Sequence, residues 1–128
     1  MTIPNPLAGL AGPAGGRRAT WIDEAFGEYG RGKFRGAYDL LMLALNDTLY
    51  EHKAEGHSLF IKLSGLARKG LLDAQVVDLA RSLPFLDKHD RGITDLDLSY
   101  MTEHDLYEFI SFLEAYFRSL KKNSMTAA

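Results

Sequence analysis

The sequence contains no cysteine, and this absence limits the chemistry available to the protein. Disulfide bonds, thiolate metal sites and redox reactions at cysteine are excluded. A chain without cysteine is typical of the reducing cytoplasm, and we predict a cytoplasmic location. The sequence also has no apolar run of about 18 residues, the length that a membrane-spanning helix needs, so we predict no membrane association.

A strong net charge is missing as well. The 15 lysine and arginine residues nearly balance the 17 aspartate and glutamate residues, which leaves a net charge of −2. Because the domain has no overall positive field to attract nucleic acid, RNA binding is possible only through a local basic patch. The 4 histidines form no HExxH motif and no helical zinc pair, and no GxxxxGK phosphate loop occurs. We therefore predict no metal and no cofactor.

Low-complexity composition marks both ends of the chain. The N-terminal segment consists largely of glycine, alanine and proline, and the C-terminal residues are small and polar. Such segments have too few large apolar side chains to order themselves. We predict a flexible tail over residues 1–19, one helical domain over residues 20–122 and a second flexible tail over residues 123–128.

Between the tails, apolar residues recur at the three- and four-residue spacing of amphipathic helices. The longest early stripe consists of Phe34, Tyr38, Leu41, Leu45 and Leu49 and ends at His52. In the middle of this predicted helix, residues 40–45 are apolar on every side, which is typical of a buried helix. The pattern therefore predicts that this helix is central.

Capping residues, glycine and proline predict the helix boundaries. The predicted N-caps are Thr20, Ser58, Asp73 and Thr102. Gly56 and Gly70 are predicted helix stops, and Pro84 is predicted to end or kink its helix. The irregular residues 85–100 are predicted to be loop. The resulting fold class is all-α, an antiparallel up-and-down bundle of four to five helices.

The last predicted helix has the widest apolar surface. Its core stripe consists of Leu106, Phe109, Ile110, Leu113, Phe117 and Leu120. Phe112 and Tyr116 fall beside this stripe and widen it. Because a wide apolar face on a small bundle often indicates dimerisation, we predict that Phe112 and Tyr116 contact a partner.

The richest candidate chemistry lies in the segment RSLPFLDKHDR. Its charged and titratable residues are Arg81, Asp87, Lys88, His89, Asp90 and Arg91. A histidine can transfer a proton near pH 7, and an arginine can hold a phosphate and stabilise its charge. Arg81 and His89 are therefore candidate catalytic residues for metal-independent RNA cleavage. A charge-balanced, solvated loop is the alternative interpretation, and Asp87, Lys88 and Arg91 are candidate partner contacts.

The order of segments resembles the HEPN superfamily, in its domain-of-unknown-function branch. The stretch WIDEAFGEYGRGKFRGAYDLLMLALNDTLYEH is similar to the opening helix, glycine-lysine-aromatic bend and long helix of these bundles. The piece IKLSGLARKGLLDAQVVDLAR resembles the leucine-rich passage that follows. The segment MTEHDLYEFISFLEAYFRSL resembles the closing helix. The resemblance covers residues 21–122.

The resemblance implies a function centred on an arginine–histidine pair. Ribonucleases of the superfamily carry an arginine followed at a short interval by a histidine, in sites shared across a dimer interface. Here Arg81 is followed by Ser82, and His89 comes after seven intervening residues that include Pro84, so the motif is degenerate. We therefore predict a non-catalytic or weakly catalytic interaction module, dimeric, in a stress, toxin–antitoxin or phage-defence context.

Two alternative functions stay open. One is a metal-independent RNA endonuclease, for which the resemblance implies Arg81 as phosphate clamp and His89 as general acid or base. The other is a small inhibitor or adaptor that binds a larger protein through one helical face. The predicted partners are accordingly a second copy of the chain, another protein or RNA.

Overall fold

The computed structural model describes residues 4–12, 16–90 and 101–126, without the side chains of residues 89, 90, 125 and 126. All regular elements in these residues are helices, which confirms the predicted all-α class. They are α1 (Arg17–Gly30), α2 (Phe34–Glu51), α3 (Leu59–Arg68), α4 (Ala74–Arg81), α5 (Pro84–Asp90) and α6 (Glu103–Thr126). The described residues thus form six helices, where the sequence predicted four or five.

Glycine ends two of the helices in a left-handed turn. After α3, the amide of Leu71 donates to the carbonyl oxygen of Leu66 at 3.0 Å, the long-range bond of a Schellman motif. Gly70 supplies the positive φ that this turn requires, 76°, and Gly32 does the same after α1 with 78°. The predicted stop at Gly70 is confirmed.

The end of α2 has the same turn without a glycine. The amide of Ala54 donates to the carbonyl oxygen of Leu49 at 2.9 Å, and Lys53 adopts a φ of 56°. The helix therefore ends at Glu51. The predicted stop at Gly56 is wrong, because the chain has already left the helix when it reaches that glycine.

Side-chain caps begin two helices as predicted. The hydroxyl oxygen of Ser58 accepts a hydrogen bond from the amide of Ile61 at 3.1 Å at the start of α3. At the start of α6 the amide of Asp105 donates to the Thr102 hydroxyl at 3.1 Å. In return, the Thr102 amide donates to the Asp105 carboxylate at 3.2 Å. This reciprocal capping box satisfies two amides that the helix itself leaves without acceptors.

The other two predicted caps differ from the structure. Helix α1 begins at Arg17 with Gly16 as its N-cap, so Thr20 lies inside the helix. Asp73 takes the N-cap position of α4, but its carboxylate accepts no bond from the amides of that helix. It accepts a hydrogen bond from Lys122 Nζ at 2.8 Å instead. This bond places the start of α4 beside the end of α6, so these two helices run antiparallel.

Contacts in the core fix the direction of the longest helices. Tyr38 and Phe109, near the starts of α2 and α6, have ring centroids 4.8 Å apart. Thr48 and Tyr116, further along the same helices, have hydroxyl oxygens 2.9 Å apart. Helices α2 and α6 therefore run parallel. The predicted alternation holds for the α1–α2 hairpin and for α4 with α6, but not for α2 with α6.

Aromatic rings from three helices meet in the core. Phe109 of α6 contacts Tyr38 of α2 and Phe85 of α5, and the Phe85 and Phe109 centroids are 5.8 Å apart. Edge-on and tilted ring pairs of this kind add specific geometry to the burial of apolar area. All six residues of the predicted α6 stripe are buried, which confirms that stripe as core.

Two predictions about apolar surfaces need correction. Phe112 and Tyr116 were expected to extend an exposed face of α6, but both are 0% exposed and belong to the core. Residues 40–45 of α2 were expected to be buried on every side. Leu41 and Leu45 are buried, but Leu43 is 47% exposed. Helix α2 packs on α1 and α6, and one of its sides remains in contact with solvent.

Residues 4–12 pack against the bundle rather than forming the predicted loose tail. Leu7 is 1% exposed and Ala11 is 6% exposed. The Leu7 amide donates to Asn5 Oδ1 at 2.9 Å, and the Leu10 amide donates to the Leu7 carbonyl oxygen at 3.0 Å. The described part of this segment therefore forms a short turn whose apolar side chains join the core.

A helix also replaces part of the predicted loop. Helix α5 begins at Pro84, where the missing amide hydrogen is tolerated because first-turn amides have no partner within the helix. The predicted break at Pro84 is confirmed, whereas residues 85–90 are helical. Residues 91–100 lie outside the described residues. Helix α6 continues to Thr126, beyond the predicted domain boundary at residue 122.

Candidate functional site

The predicted Arg81–His89 site is described only in part. Arg81 is exposed at the end of α4, and its guanidinium carbon lies 5.7 Å from the ring centroid of Phe60 in α3. The backbone of His89 belongs to α5, but its side chain lies outside the described residues, as does Arg91. The Arg81–His89 site thus stays a prediction.

The other predicted contact residues fall into two groups. Asp87 is half-buried and Lys88 is exposed in α5, so Lys88 is accessible to a partner. Phe112 and Tyr116 are in the core, so they offer no contact surface in this fold. The exposed apolar side chains of the bundle lie elsewhere.

A continuous surface runs along α1 and α2. At one end Arg17 of α1 forms an ion pair with Asp47 of α2. At the other end a Cβ placed on Gly36 of α2 would lie 3.3 Å from a carboxylate oxygen of Glu28 in α1. Residues three, four and seven apart share one face of a helix, so the stripes between these contacts are neighbours. We name this surface the α1–α2 face, formed by Arg17, Trp21, Glu24, Leu40, Leu43 and Tyr50.

Large apolar side chains of the α1–α2 face reach solvent. Tyr50 is 84% exposed and Leu43 is 47% exposed. Trp21 and Leu40 are half-buried at the margin of the core. The guanidinium of Arg17 lies 5.8 Å from the centroid of the Trp21 ring, which holds the indole on this surface. Clustered apolar side chains with a polar rim are typical of protein-interaction sites.

Charges of both signs border these apolar side chains. On α1 the order along the stripe is Arg17, whose side chain is 71% exposed, then Trp21, then the exposed Glu24. On α2, Asp47 forms a second ion pair, in which its Oδ2 lies 2.8 Å from Nε of Arg18. The carboxylate of Asp47 is thus paired within the chain with both Arg17 and Arg18. Arg17 nevertheless keeps most of its side chain in solvent, and the exposed Glu24 lies at the opposite end of the stripe.

The titratable groups at the far edge of the face keep their ordinary charge at neutral pH. A hydrogen bond from Arg31 is the main cause that lowers the pKa of Glu28. Burial, followed by the nearby Glu103 carboxylate, raises the pKa of Tyr29, whose hydroxyl oxygen lies 3.4 Å from that carboxylate. Neither pKa moves toward 7, so neither group is adjusted for acid–base catalysis at neutral pH.

A second concave region lies beneath residues 4–12. A partly open cleft of about 170 Å³ lies between this segment and α1, and a more open cleft of about 260 Å³ is lined by Leu10, Ala11 and Gly12 and by residues at the ends of α2 and α6. We name the two spaces together the N-terminal groove. Its helical walls include Ala19, Ile22, Thr48, His52, Phe117 and Leu120.

The buried polar pair of this groove is satisfied within the chain. The Thr48 hydroxyl donates to the carbonyl oxygen of Leu45 at 2.8 Å. Because a hydroxyl has one proton, Tyr116 must donate to Thr48 across their 2.9 Å contact. Burial raises the pKa of Tyr116, so its phenol is neutral. This pair stabilises the contact between α2 and α6 and is not a reactive centre.

The described residues supply two further findings. No group of three or more histidine, aspartate or glutamate side chains among them is arranged to hold a metal ion. None of the helices in residues 4–12, 16–90 and 101–126 combines the length and the apolar character that crossing a membrane requires.

Comparisons of this chain with protein-family models, with curated proteins and with solved structures find no match. The resemblance to HEPN bundles therefore rests on the sequence pattern alone. The functional interpretation of the chain depends on its own surfaces.

The sequence contained a signal for the α1–α2 face that the helical stripe obscured. Leu43 and Tyr50 lie two turns apart on α2 and outside its predicted apolar stripe, although Leu43 falls within the run over residues 40–45 that was predicted to be buried. A helix whose apolar residues exceed one stripe either is buried all round or presents a second face to a partner. The exposure of Leu43 and Tyr50 selects the second of these interpretations for α2.

Proposed function

We propose that this protein is a non-catalytic interaction module that forms a homodimer through its α1–α2 face. The observation that carries the proposal is the exposure of Leu43 and Tyr50, which helical spacing places on the same surface as Trp21. Removing these side chains from water favours association by roughly 25 cal/mol for each Å² of apolar area that is buried. Aromatic side chains such as those of Tyr50 and Trp21 are also enriched among residues that dominate interface energies.

The charge order on α1 favours a second copy of the chain as the partner. A two-fold axis near Trp21 brings Arg17 of one copy opposite Glu24 of the other, and the symmetry repeats this pair. Two ion pairs then flank a centre made of Trp21 and Leu43 from both copies. The α1–α2 face is thus complementary to itself in charge as well as in apolar character.

The proposal extends the HEPN-like interpretation of the sequence. The seven residues between Arg81 and His89 support a module without efficient catalysis. As part of the same proposal, the dimer acts in a stress, toxin–antitoxin or phage-defence system. The partner that such a system supplies would bind surfaces that the dimer leaves exposed.

The oligomeric state in solution tests the proposed interface. Light scattering across a concentration series is expected to show a dimer for the wild-type chain and a monomer for Leu43→Glu. Ile61→Glu is the matched control, because Ile61 is an aliphatic residue on α3 with a similar exposure of 51%. This control is expected to dimerise normally. A wild-type chain that stays monomeric at high concentration, or a Leu43→Glu chain that dimerises normally, would refute the interface.

A charge exchange tests the orientation of the two copies. Arg17→Glu places two acidic side chains opposite each other at both flanks, and Glu24→Arg places two basic ones there. Because Arg17→Glu also removes the ion pair of Arg17 with Asp47 in its own chain, circular dichroism verifies its fold and the mixture of both variants decides the orientation. Each variant alone is expected to dimerise more weakly than the wild type. An equimolar mixture of both variants restores opposite charges at both flanks and is expected to form a heterodimer. A mixture no stronger than the separate variants would exclude this orientation.

A metal-independent RNA endonuclease remains the second candidate function, and the exposure of Arg81 favours it. An exposed guanidinium held over the Phe60 ring is available to bind a phosphate. Incubation of RNA with the wild type, Arg81→Ala and His89→Ala is the test, with circular dichroism to verify folding. Cleavage by the wild type that both variants lose would establish this function, and intact RNA in all samples would remove it.

The inhibitor or adaptor alternative predicts a different oligomeric state and a different effect of the Leu43→Glu and Ile61→Glu variants. It predicts a chain that stays monomeric alone and captures one larger protein from its host. Capture that Leu43→Glu abolishes and Ile61→Glu retains would assign the α1–α2 face to that partner instead of to a second copy.

A further inference from the structure

We infer that residues 4–12 are a displaceable plug, and that the N-terminal groove beneath them binds a short apolar peptide of a partner protein. The peptide is expected to carry a leucine in the place of Leu7 and, four positions later, a side chain larger than that of Ala11. The inference concerns a surface separate from the α1–α2 face and does not depend on the proposed dimer.

The plug is held by side chains. Leu7 is its anchor, with 1% of its surface exposed, and Leu10 and Ala11 add further apolar contact. In the part of the chain that the structure describes, the hydrogen bonds of the segment connect residues 5, 7, 8 and 10 to one another and none reaches a helix. The plug can therefore leave the groove without breaking a hydrogen bond of the bundle.

The plug leaves open clefts at its margins. Ala8 and Gly9 line the cleft of about 170 Å³, and Ala11 and Gly12 line both this cleft and the cleft of about 260 Å³. Apolar atoms that border an open cleft lack the dispersion contacts of a close-packed interior. A peptide with the same anchor and a larger second apolar side chain would regain these contacts. It would consequently bind the groove better than the chain's own segment does.

The polar rim of the groove suits the ends of a peptide. Arg18, Glu51, His52 and Lys121 line the groove together with Phe117 and Leu120. Arg18 and Glu51 form an ion pair with each other. A largely apolar lining with a few polar or charged groups is the usual composition of a ligand-binding cleft. The sequence GPAGG over residues 12–16 connects the plug to α1. A short tether gives the plug a high effective concentration, so it competes strongly with an external peptide.

A fluorescent peptide provides the test. The probe NPLAGLLG copies residues 5–12 with leucine in place of Ala11. It is titrated into the full-length wild type and into a full-length Leu7→Asp variant, in which the anchor of the plug cannot be buried. Because Leu7→Asp removes the internal competitor, its Kd for the probe is expected to be at least tenfold lower than that of the wild type. Equal affinities, or no binding to Leu7→Asp, would overturn the inference.

Three controls accompany this titration. A probe with aspartate in place of its first leucine is expected not to bind. Binding of this probe would show that the groove does not recognise the leucine anchor. A full-length Tyr107→Ala chain is expected to bind the probe as the wild type does, because the exposed Tyr107 lies away from the groove. Thermal unfolding of Leu7→Asp shows whether the bundle remains folded.

If Leu7→Asp does not fold, hydrogen exchange of the wild type tests whether the probe displaces the plug. At saturating probe the amides of Leu7 and Leu10 are expected to exchange at the rate of an unstructured chain, while the core amides of α2 and α6 remain protected. Probe binding that leaves the exchange of Leu7 and Leu10 unchanged, or no binding at any concentration, would show that the plug is not displaced.

Discussion

Lys53 is the one residue other than glycine with a positive φ among the described residues, 56°. A left-handed conformation costs a residue with a Cβ roughly 1–2 kcal/mol, and glycine avoids this cost. We expect Lys53→Gly to raise the free energy of unfolding by about 0.5–1 kcal/mol. This gain is smaller than the relieved strain, because glycine also increases the entropy of the unfolded chain and so offsets part of it. A higher urea midpoint, with an unchanged dependence of the unfolding free energy on urea concentration, would verify this gain in stability.

The equivalent turn after α3 supplies the reverse experiment. Gly70 has the same role with a φ of 76°, and a Cβ there would meet no atom within 4 Å. Gly70→Lys is therefore expected to lower the free energy of unfolding by about 1 kcal/mol, through the backbone alone. If Lys53→Gly and Gly70→Lys both left the urea midpoint unchanged, the left-handed turns would contribute no strain.

The hydroxyl pair Thr48–Tyr116 gives a second prediction about single residues. Thr48→Val removes the acceptor of the buried Tyr116 hydroxyl, and an unsatisfied buried donor costs about 1–3 kcal/mol. Tyr116→Phe removes that hydroxyl itself and leaves Thr48 bonded to Leu45, so its expected cost is smaller, about 1 kcal/mol. The double variant is expected to be more stable than the sum of the two losses predicts. Strict additivity in urea unfolding would contradict the assigned donor direction.

Between elements, the contact of α4 with α6 depends on the carboxylate of Asp73. The Asp73 amide donates to the Ser119 hydroxyl at 2.8 Å, and Lys122 and Asn123 donate to the Asp73 carboxylate at 2.8 Å and 3.3 Å. The hydrogen bond from Lys122 is the main cause that lowers the pKa of Asp73. The helix that this residue begins is thus anchored to the end of the last helix.

The lowered pKa of Asp73 fixes the sign of a pH dependence. The ionised carboxylate is favoured in the folded chain, so its contribution is present above the pKa of an unfolded aspartate, about 3.9. The contribution is lost as the pH falls through the lower folded pKa. Asp73→Asn is therefore expected to be less stable than the wild type at pH 7, with the difference shrinking below about pH 4. Asp78→Asn, an exposed change on the same helix, is the control in urea unfolding at both pH values.

Helix ends were largely predictable because their signals are local. Ser58, Thr102 and Gly70 act on amides and carbonyls within one turn, so the residue types alone indicate the caps. Asp73 failed as a predicted cap because its carboxylate binds a residue far away in the chain, Lys122. The stop after α2 was misplaced because Lys53 adopts a backbone conformation that its residue type does not favour.

Surfaces of the whole molecule were harder to predict, because helical periodicity does not say which neighbours cover a face. Phe112 and Tyr116 extend the apolar arc of α6 because several helices surround it, and the arc is core rather than surface. Leu43 looks like core in the sequence, yet no described element covers it fully. Leu7 looks like part of a loose tail, although it fills a space between helices that no local pattern reveals.

Stability at different protein concentrations tests the dimer at the level of the whole molecule. If unfolding separates two copies, each tenfold rise in concentration adds about 1.4 kcal/mol to the apparent free energy of unfolding per dimer. The urea midpoint of the wild type is therefore expected to rise with concentration, and that of Tyr50→Glu is expected to stay constant. Tyr107→Glu is the matched control, since Tyr107 is an exposed tyrosine (62%) outside the α1–α2 face. A constant wild-type midpoint would mean that the folded chain gains no stability from a second copy.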